Sequence, residues 1–94
     1  MIMAVVSQVS LLVNPRAGGG RAGPVSKAVF AYLRDLGVET EVLAPTSPEG
    51  ALVAARQVSA MGTRRLLVVG GDGLICLAAR ALAGGTTVLG VVAG

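Results

Sequence analysis

The chain has 94 residues, a net charge of +3, a single cysteine, no histidine, and one Phe and one Tyr as its aromatic side chains. This length allows one domain at most, and scattered basic residues with almost no aromatics between them argue against nucleic-acid binding. Because Cys76 is alone and histidine is absent, an internal disulfide is excluded and a metal-ligand cluster is implausible.

The first predicted elements are a strand, a glycine-rich loop and a helix. Residues 5–13 are rich in Val and Leu and end at an Asn-Pro pair, which is a turn signal. After the loop, Pro24 stands at a favoured first helical position, and apolar residues then recur at helical spacing. We therefore predict a helix over 24–36 that is closed by Gly37.

An edge strand and a second helix follow. Residues 38–42 alternate apolar or threonine side chains with glutamates, which predicts an edge strand with Val42 on its covered face. Ser47 then provides an N-cap and Pro48 a first helical residue. The second helix is predicted to stop at Gly62.

The last part of the chain predicts a buried strand, a helix and a fourth strand. Residues 66–69 form a continuous apolar run, which is typical of a strand buried on both faces. Helical spacing then predicts a helix over 74–83, closed by a pair of glycines, and residues 86–92 are predicted to be a strand.

The alternation of strands and helices predicts a three-layer, Rossmann-like α/β fold, with a parallel sheet and helices on both faces. With right-handed crossovers, the second and third strands lie on opposite sides of the first, which gives the strand order 2-1-3-4. Ligands bind at the carboxyl ends of strands at such a switch point. The loops after the first and third strands would both open there.

The loop after the first strand offers backbone N–H groups to a phosphate. Its glycines, which lack a Cβ, let the backbone approach closely, and the N-terminus of the following helix adds a favourable dipole. The candidate phosphate-binding residues are Asn14, Pro15, Arg16, Gly18, Gly19, Gly20 and Arg21.

Two other interpretations of this loop stay open. It is a plain flexible connection, or Gly18, Gly20 and Gly23 form a dinucleotide-binding pattern with Glu41 as the ribose-binding acid. Against the dinucleotide pattern, four residues separate the strand from Gly18. A P-loop is excluded because Gly23 is followed by Pro24 and not by lysine.

The loop after the third strand places one carboxylate among three glycines, Gly70, Gly71 and Gly73. The glycines would admit a phosphate, whereas Asp72 would repel it unless the carboxylate held Mg²⁺ or accepted a proton from an attacking hydroxyl. Alternatively, Asp72 only caps the third helix. Since the other acidic residues are predicted on helix ends or on the polar face of the second strand, we assign Asp72 as the catalytic and metal-binding residue.

The two loops together resemble the catalytic domain of bacterial diacylglycerol kinases and their sphingosine-kinase-like relatives. The similarity rests on Asn-Pro-Arg-Ala-Gly at 14–18 and Gly-Gly-Asp-Gly at 70–73, and it covers essentially the whole chain in order and spacing. It implies that both loops bind the phosphates of ATP, that Asp72 and Mg²⁺ are required for phosphoryl transfer, and that the acceptor is a lipid hydroxyl. The alternatives are NAD kinases, which share the second motif, and a non-catalytic nucleotide- or dinucleotide-binding module.

The chain departs from the family motif at Leu74, Cys76 and Leu77, where Thr, Asn and Glu are usual. The resemblance implies that residues 1–94 are the N-terminal nucleotide-binding part of the catalytic domain, inactive alone, without the C-terminal β domain that completes the lipid site. The expected partners are that missing domain and a lipid at a membrane surface; a homodimer is allowed and nucleic acid is not expected. No apolar run is long enough to span a membrane, so we expect a cytoplasmic protein, peripheral at the inner membrane face.

Overall fold

The computed structural model describes residues 8–14 and 22–92. Within them, strands and helices alternate as predicted. The elements are β1 (Val9–Val13), α1 (Ala22–Asp35), β2 (Thr40–Leu43), α2 (Pro48–Ala60), β3 (Arg65–Val69), α3 (Asp72–Leu82) and β4 (Val88–Val92). All the strand pairs are parallel, and the order β2-β1-β3-β4 confirms the predicted topology.

Helices cover both faces of the sheet, which confirms the three-layer arrangement. On one face, side chains of β1 and β3 pack against α2 and α3, where Ala55 and Ala78 are fully buried. Such small residues let a helix approach a sheet closely. On the other face, Leu11, Val13 and Val69 pack against the apolar side of α1. None of the helices in the described ranges is long and apolar enough to cross a membrane.

Glycines end two of the helices as predicted. Gly37 and Gly62 have φ angles of 75° and 73°, a left-handed conformation that costs glycine little. Behind α1, the Val38 N–H donates to the Leu33 carbonyl with an N–O distance of 3.0 Å. Behind α2, the Thr63 N–H donates to the Val58 carbonyl at 3.3 Å. These bonds satisfy carbonyls that a helix end would otherwise leave unpaired.

Several predicted boundaries were wrong by a few residues. Helix α1 begins at Ala22, so Pro24 lies within the first turn, where its missing N–H costs no helical hydrogen bond. Helix α3 begins at Asp72 and not at residue 74. Strand β1 begins at Val9, and residues 5–7 of the predicted strand lie outside the described residues.

Strand β2 lies at the edge of the sheet, as predicted, and Thr40 is half-buried while Glu41 is exposed, but the predicted cover of Val42 was wrong. Val42 is 47% exposed, whereas Leu43 packs against the core beside α2 and α3. Burial along an edge strand depends on how far the helices on each face reach over it, so strict alternation of burial is not enforced there. Strand β3, by contrast, lies between two neighbours, and Leu66, Val68 and Val69 are fully buried.

Two buried hydroxyls differ in whether they have a hydrogen-bond partner. Thr87 Oγ1 donates to the Thr63 carbonyl across a 2.6 Å distance and so ties the start of β4 to the loop before β3. Ser10 Oγ is fully buried in β1 and has no partner among the described residues. A buried polar group without a partner costs free energy that an apolar group of the same shape would not.

We therefore expect Thr87→Val, but not Ser10→Ala, to lower the free energy of unfolding. Thr87→Val should lower it by about 1–3 kcal/mol, because the Thr63 carbonyl loses this donor in a buried position. Ser10→Ala should leave it unchanged or raise it by up to about 1 kcal/mol. Urea unfolding followed by circular dichroism measures the free energy of unfolding of both variants. Equal losses of stability in the two variants would contradict the conclusion that Thr87 has a hydrogen-bond partner and Ser10 has none.

Candidate functional site

The carboxyl ends of β1 and β3 lie side by side and bring the two predicted loops together. Val13 pairs with Val69 in the parallel register, and the Asn14 N–H donates to the Val69 carbonyl across 3.3 Å. A Cβ built on Gly70 would lie 3.8 Å from the Cβ of Asn14. The two loops therefore begin next to each other at the switch point, as the strand order predicted.

Of the candidate residues in the first loop, the structure places Asn14 alone, and its side chain is exposed. Pro15, Arg16, Gly18, Gly19, Gly20 and Arg21 lie outside the described residues. Their assignment as phosphate-binding residues stays a prediction from the sequence.

Asp72 is the first residue of α3 and not its cap. The N-cap is Gly71, with extended backbone at φ −90° and ψ −178°. The interpretation in which Asp72 merely caps the helix is therefore wrong. Its exposed carboxylate is next to the uncapped helix end, where the helix dipole favours negative charge.

The N-terminal turn of α3 presents backbone donors that no described side chain caps. The first helical bond runs from the Ile75 N–H to the Gly71 carbonyl at 3.1 Å, so the N–H groups before it have no acceptor within the helix. Helix α2 differs, because Ser47 Oγ accepts from the Gly50 N–H at 3.0 Å. The beginning of α3, unlike that of α2, therefore has free donors that can bind an anion.

Two of the glycines in the second loop are not required by the described fold. A Cβ on Gly71 or Gly73 would meet no atom within 4 Å, and neither residue has a positive φ angle. A Cβ on Gly70 would instead lie 2.8 Å from Leu74 Cδ2. Gly71 and Gly73 therefore leave open space in front of the uncapped helix end, whereas Gly70 makes room for a neighbouring side chain.

A cleft of about 320 Å³ adjoins this turn. It lies between the end of β1, the loop from β2 to α2, and the first turns of α3. Its apolar walls come from Pro45, Pro48, Ala51, Leu74 and Leu77, and it also touches Asn14 and Gly73 but not Asp72. We call it the carboxyl-end cleft.

The sequence analysis did not assign the loop from β2 to α2 to the site. Pro45, Thr46 and Ser47 all line the carboxyl-end cleft. A signal for them existed, because β2 neighbours β1 and its carboxyl end must reach the same edge of the sheet. Leu74 and Leu77, recognised as departures from the family motif, also line this cleft.

The dinucleotide interpretation fits the fold poorly. Glu41, its proposed ribose-binding acid, pairs with Ser10 within the sheet and lies two residues before the end of β2 at Leu43. A ribose at the carboxyl ends of the strands would lie beyond that point.

Comparison with known proteins identifies the family. The sequence model of the diacylglycerol kinase catalytic domain matches residues 8–94. The chain belongs to the diacylglycerol kinase catalytic domain family. It is 32% identical over 88 residues to the diacylglycerol kinase of Mycobacterium tuberculosis strain CDC 1551 / Oshkosh, and equally to that of strain ATCC 25618 / H37Rv. Each alignment covers 93% of this chain and 28% of the relative.

Membership in this lipid kinase family confirms the resemblance stated from the two loops. The Gly-Gly-Asp-Gly loop and Asn14 both lie inside the matched range. The family match extends through β4, so the whole described sheet belongs to the diacylglycerol kinase catalytic domain.

We expect Gly73→Ala and Gly90→Ala to separate glycines that the fold requires from those that it does not. Gly73→Ala should keep or raise the free energy of unfolding by up to about 1 kcal/mol, since alanine favours a helix and meets no atom. Gly90→Ala should lower it by about 1 kcal/mol at most, because its Cβ would overlap Leu67 Cδ2, which lies at the movable end of a half-buried side chain. Urea unfolding compares the two; a large loss for Gly73→Ala would show that the described fold requires this glycine.

Proposed function

We propose that this chain is the nucleotide-binding part of an ATP-dependent lipid kinase that transfers a phosphoryl group to a lipid hydroxyl. One observation carries the proposal: an uncapped helix N-terminus with open glycines lies beside Asn14 at the switch point of the sheet. The name of the relatives, diacylglycerol kinase, supports a diacylglycerol as the acceptor.

The phosphates of ATP would bind at the first turn of α3. The N–H groups at Asp72, Gly73 and Leu74 have no acceptor within the helix, and the helix dipole favours an anion there. The absence of side chains at Gly71 and Gly73 allows phosphate oxygens to reach these donors. The loop after β1 would surround the same phosphates from the opposite side, and its two arginines would contribute positive charge. Its candidate residues are Asn14, Pro15, Arg16, Gly18, Gly19, Gly20 and Arg21.

The carboxyl-end cleft would hold the base of the nucleotide. Its volume of about 320 Å³ lies at the lower end of the range for small-molecule sites. Its proline, alanine and leucine walls suit a flat ring with little charge. Leu74 and Leu77 stand where the family motif has polar residues. The base would therefore be held by apolar contacts where it lies against α3.

Asp72 would act on the transferred group indirectly, since its carboxylate repels phosphate. It fits Mg²⁺, because this ion is usually bound by one or two carboxylates together with phosphate oxygens and water. When bound, the ion would neutralise charge on the phosphates. Asp72 would otherwise accept the proton of the attacking lipid hydroxyl.

The acceptor site would be completed by a further domain of the same enzyme. The chain spans 28% of the length of its curated relatives, and Asp72 is exposed among the described residues. We propose that residues 1–94 are inactive alone, because donor, metal and acceptor must be held in line for transfer. Activity is therefore tested in the longer enzyme that carries this chain.

Gly71→Val should weaken ATP binding about tenfold or more while lowering the free energy of unfolding by no more than about 1 kcal/mol, the cost of replacing glycine with a poorer N-cap residue. The new side chain finds open space and an extended backbone that valine adopts readily, yet it would occupy the approach of the phosphates. Isothermal titration with ATP measures the affinity, thermal unfolding measures the fold, and Gly71→Ala should have a smaller effect. Unchanged ATP affinity in Gly71→Val would contradict the phosphate site.

Asp72→Asn should lower the rate of phosphoryl transfer at least about 100-fold while ATP binding is largely retained, because the amide keeps the shape but loses the charge. Transfer of labelled phosphate from ATP to diacylglycerol, sphingosine and NAD measures the activity. Asp35→Asn, an exposed carboxylate at the end of α1, is the matched control and should keep full activity. Label in NAD alone would contradict the lipid kinase, and an active Asp72→Asn would contradict the catalytic role.

A further inference from the structure

A second cavity, of about 400 Å³, lies along the outer side of the helix pair α2 and α3. Helix α2 contributes Leu52 and Arg56, which are one turn apart. Helix α3 contributes Gly73, Cys76, Leu77 and Arg80, which follow one another along a single side of the helix. We call this cavity the interhelical groove.

The interhelical groove carries positive charge without a compensating carboxylate. Arg56 and Arg80, one from each helix, both line it, and no acidic residue does. Within the described residues, neither arginine forms an ion pair. Both arginines are exposed, so water and salt weaken the repulsion between them, and an anion bound in the groove would gain mainly from charge-assisted hydrogen bonds to both side chains.

The chemistry of the two arginines favours a phosphate group. A guanidinium group is planar and offers paired N–H donors that match two oxygens of a phosphate. Leu52 and Leu77, both half-buried, form the apolar part of the lining, and the exposed Cys76 lies one turn before Arg80 on α3. The groove thus combines two charged donors with an apolar wall.

The interhelical groove adjoins the carboxyl-end cleft but is a separate place. The two cavities share Gly73 and Leu77. Arg80 is seven residues beyond Gly73 on α3, which is roughly 10 Å along the helix at about 1.5 Å per residue. One phosphate group bound between Arg56 and Arg80 would therefore lie well away from phosphates bound at the first turn of α3.

We propose that Arg56 and Arg80 form a second anion site, which binds a phosphate group at the outer side of α2 and α3. The phosphate is carried either by a soluble ion or by the head group of an anionic phospholipid. The site does not depend on the proposed kinase activity, and it is occupied without nucleotide.

The single cysteine of the chain provides a reporter inside the groove. Cys76 is exposed, so its modification rate responds to what enters. We compare an anionic thiol reagent, dithiobis(nitrobenzoate), with the neutral reagent iodoacetamide. The ratio of the two rates cancels changes in thiol ionisation and isolates the attraction of the groove for anions.

The double substitution Arg56→Gln with Arg80→Gln should lower this ratio about fivefold or more, because the local concentration of the anionic reagent falls. Glutamine is a good helix former, so α2 and α3 should remain folded, which circular dichroism checks. Lys27→Gln removes the same charge from α1 on the opposite face of the sheet, and the ratio should stay unchanged. An unchanged ratio in the double variant would overturn the proposal.

Occupancy by phosphate is tested on the same thiol. At equal ionic strength, inorganic phosphate should slow the reaction of Cys76 with the anionic reagent more than chloride does. This difference should disappear in the double variant. If the phosphate comes from a lipid head group, vesicles of phosphatidylglycerol should slow the reaction of Cys76 with iodoacetamide, whereas vesicles of phosphatidylcholine should not. Protection by either source, lost in the double variant, supports the site; protection by neither overturns it.

Discussion

The parallel pairing of β1 with β3 is the constraint on which the site depends. These strands are separated in sequence by β2 and two helices, yet their register places Val13 opposite Val69 and binds the Asn14 N–H to the Val69 carbonyl. Fully buried side chains of both strands lie on each face of the sheet: Leu11 and Val69 on one face, and Leu12, Leu66 and Val68 on the other. Because both strands end at the same level, the loops that follow them begin in contact, and a ligand between them can be reached from both.

Helices α2 and α3, which lie on the same face of the sheet, differ in how their N-termini are stabilised. Helix α2 begins with a serine cap, a proline and a glutamate, all of which stabilise a helix N-terminus. Helix α3 begins with a glycine cap and has glycine in its first turn, and no described side chain caps it. The free energy that α3 loses locally is compensated by Ala78 and Leu82, which it buries against the sheet. An uncapped helix end can therefore persist where a ligand needs its donors.

Leu74 and Leu77 have a double role in this arrangement. Both pack at the edge of the space between α2, α3 and the strand ends, and both line the carboxyl-end cleft. Leu74 also occupies the space that a side chain at Gly70 would need. Leu74 thus ties the glycine loop to the helix behind it, and both leucines make the neighbouring cleft apolar.

The sequence by itself determined the order of elements, the sheet topology and the loops that meet at the switch point. Local signals suffice for these features, since glycine stops, the Ser47 cap, apolar runs and the handedness of crossovers act through short-range sterics and the hydrophobic effect. The two motifs at 14–18 and 70–73, taken together, also sufficed to indicate the family.

Only the tertiary structure decided features that depend on neighbours distant in sequence. Val42 is exposed, and the loop from β2 to α2, which the strand order brings to this edge of the sheet, lines a cleft because α3 packs beside α2. The pairing of Arg56 with Arg80 along one groove arises from the packing of α2 against α3. None of these features follows from the periodicity of the sequence, because each depends on which surfaces meet once the sheet has formed. The burial of a residue is set by the packing of several elements and not by any single segment.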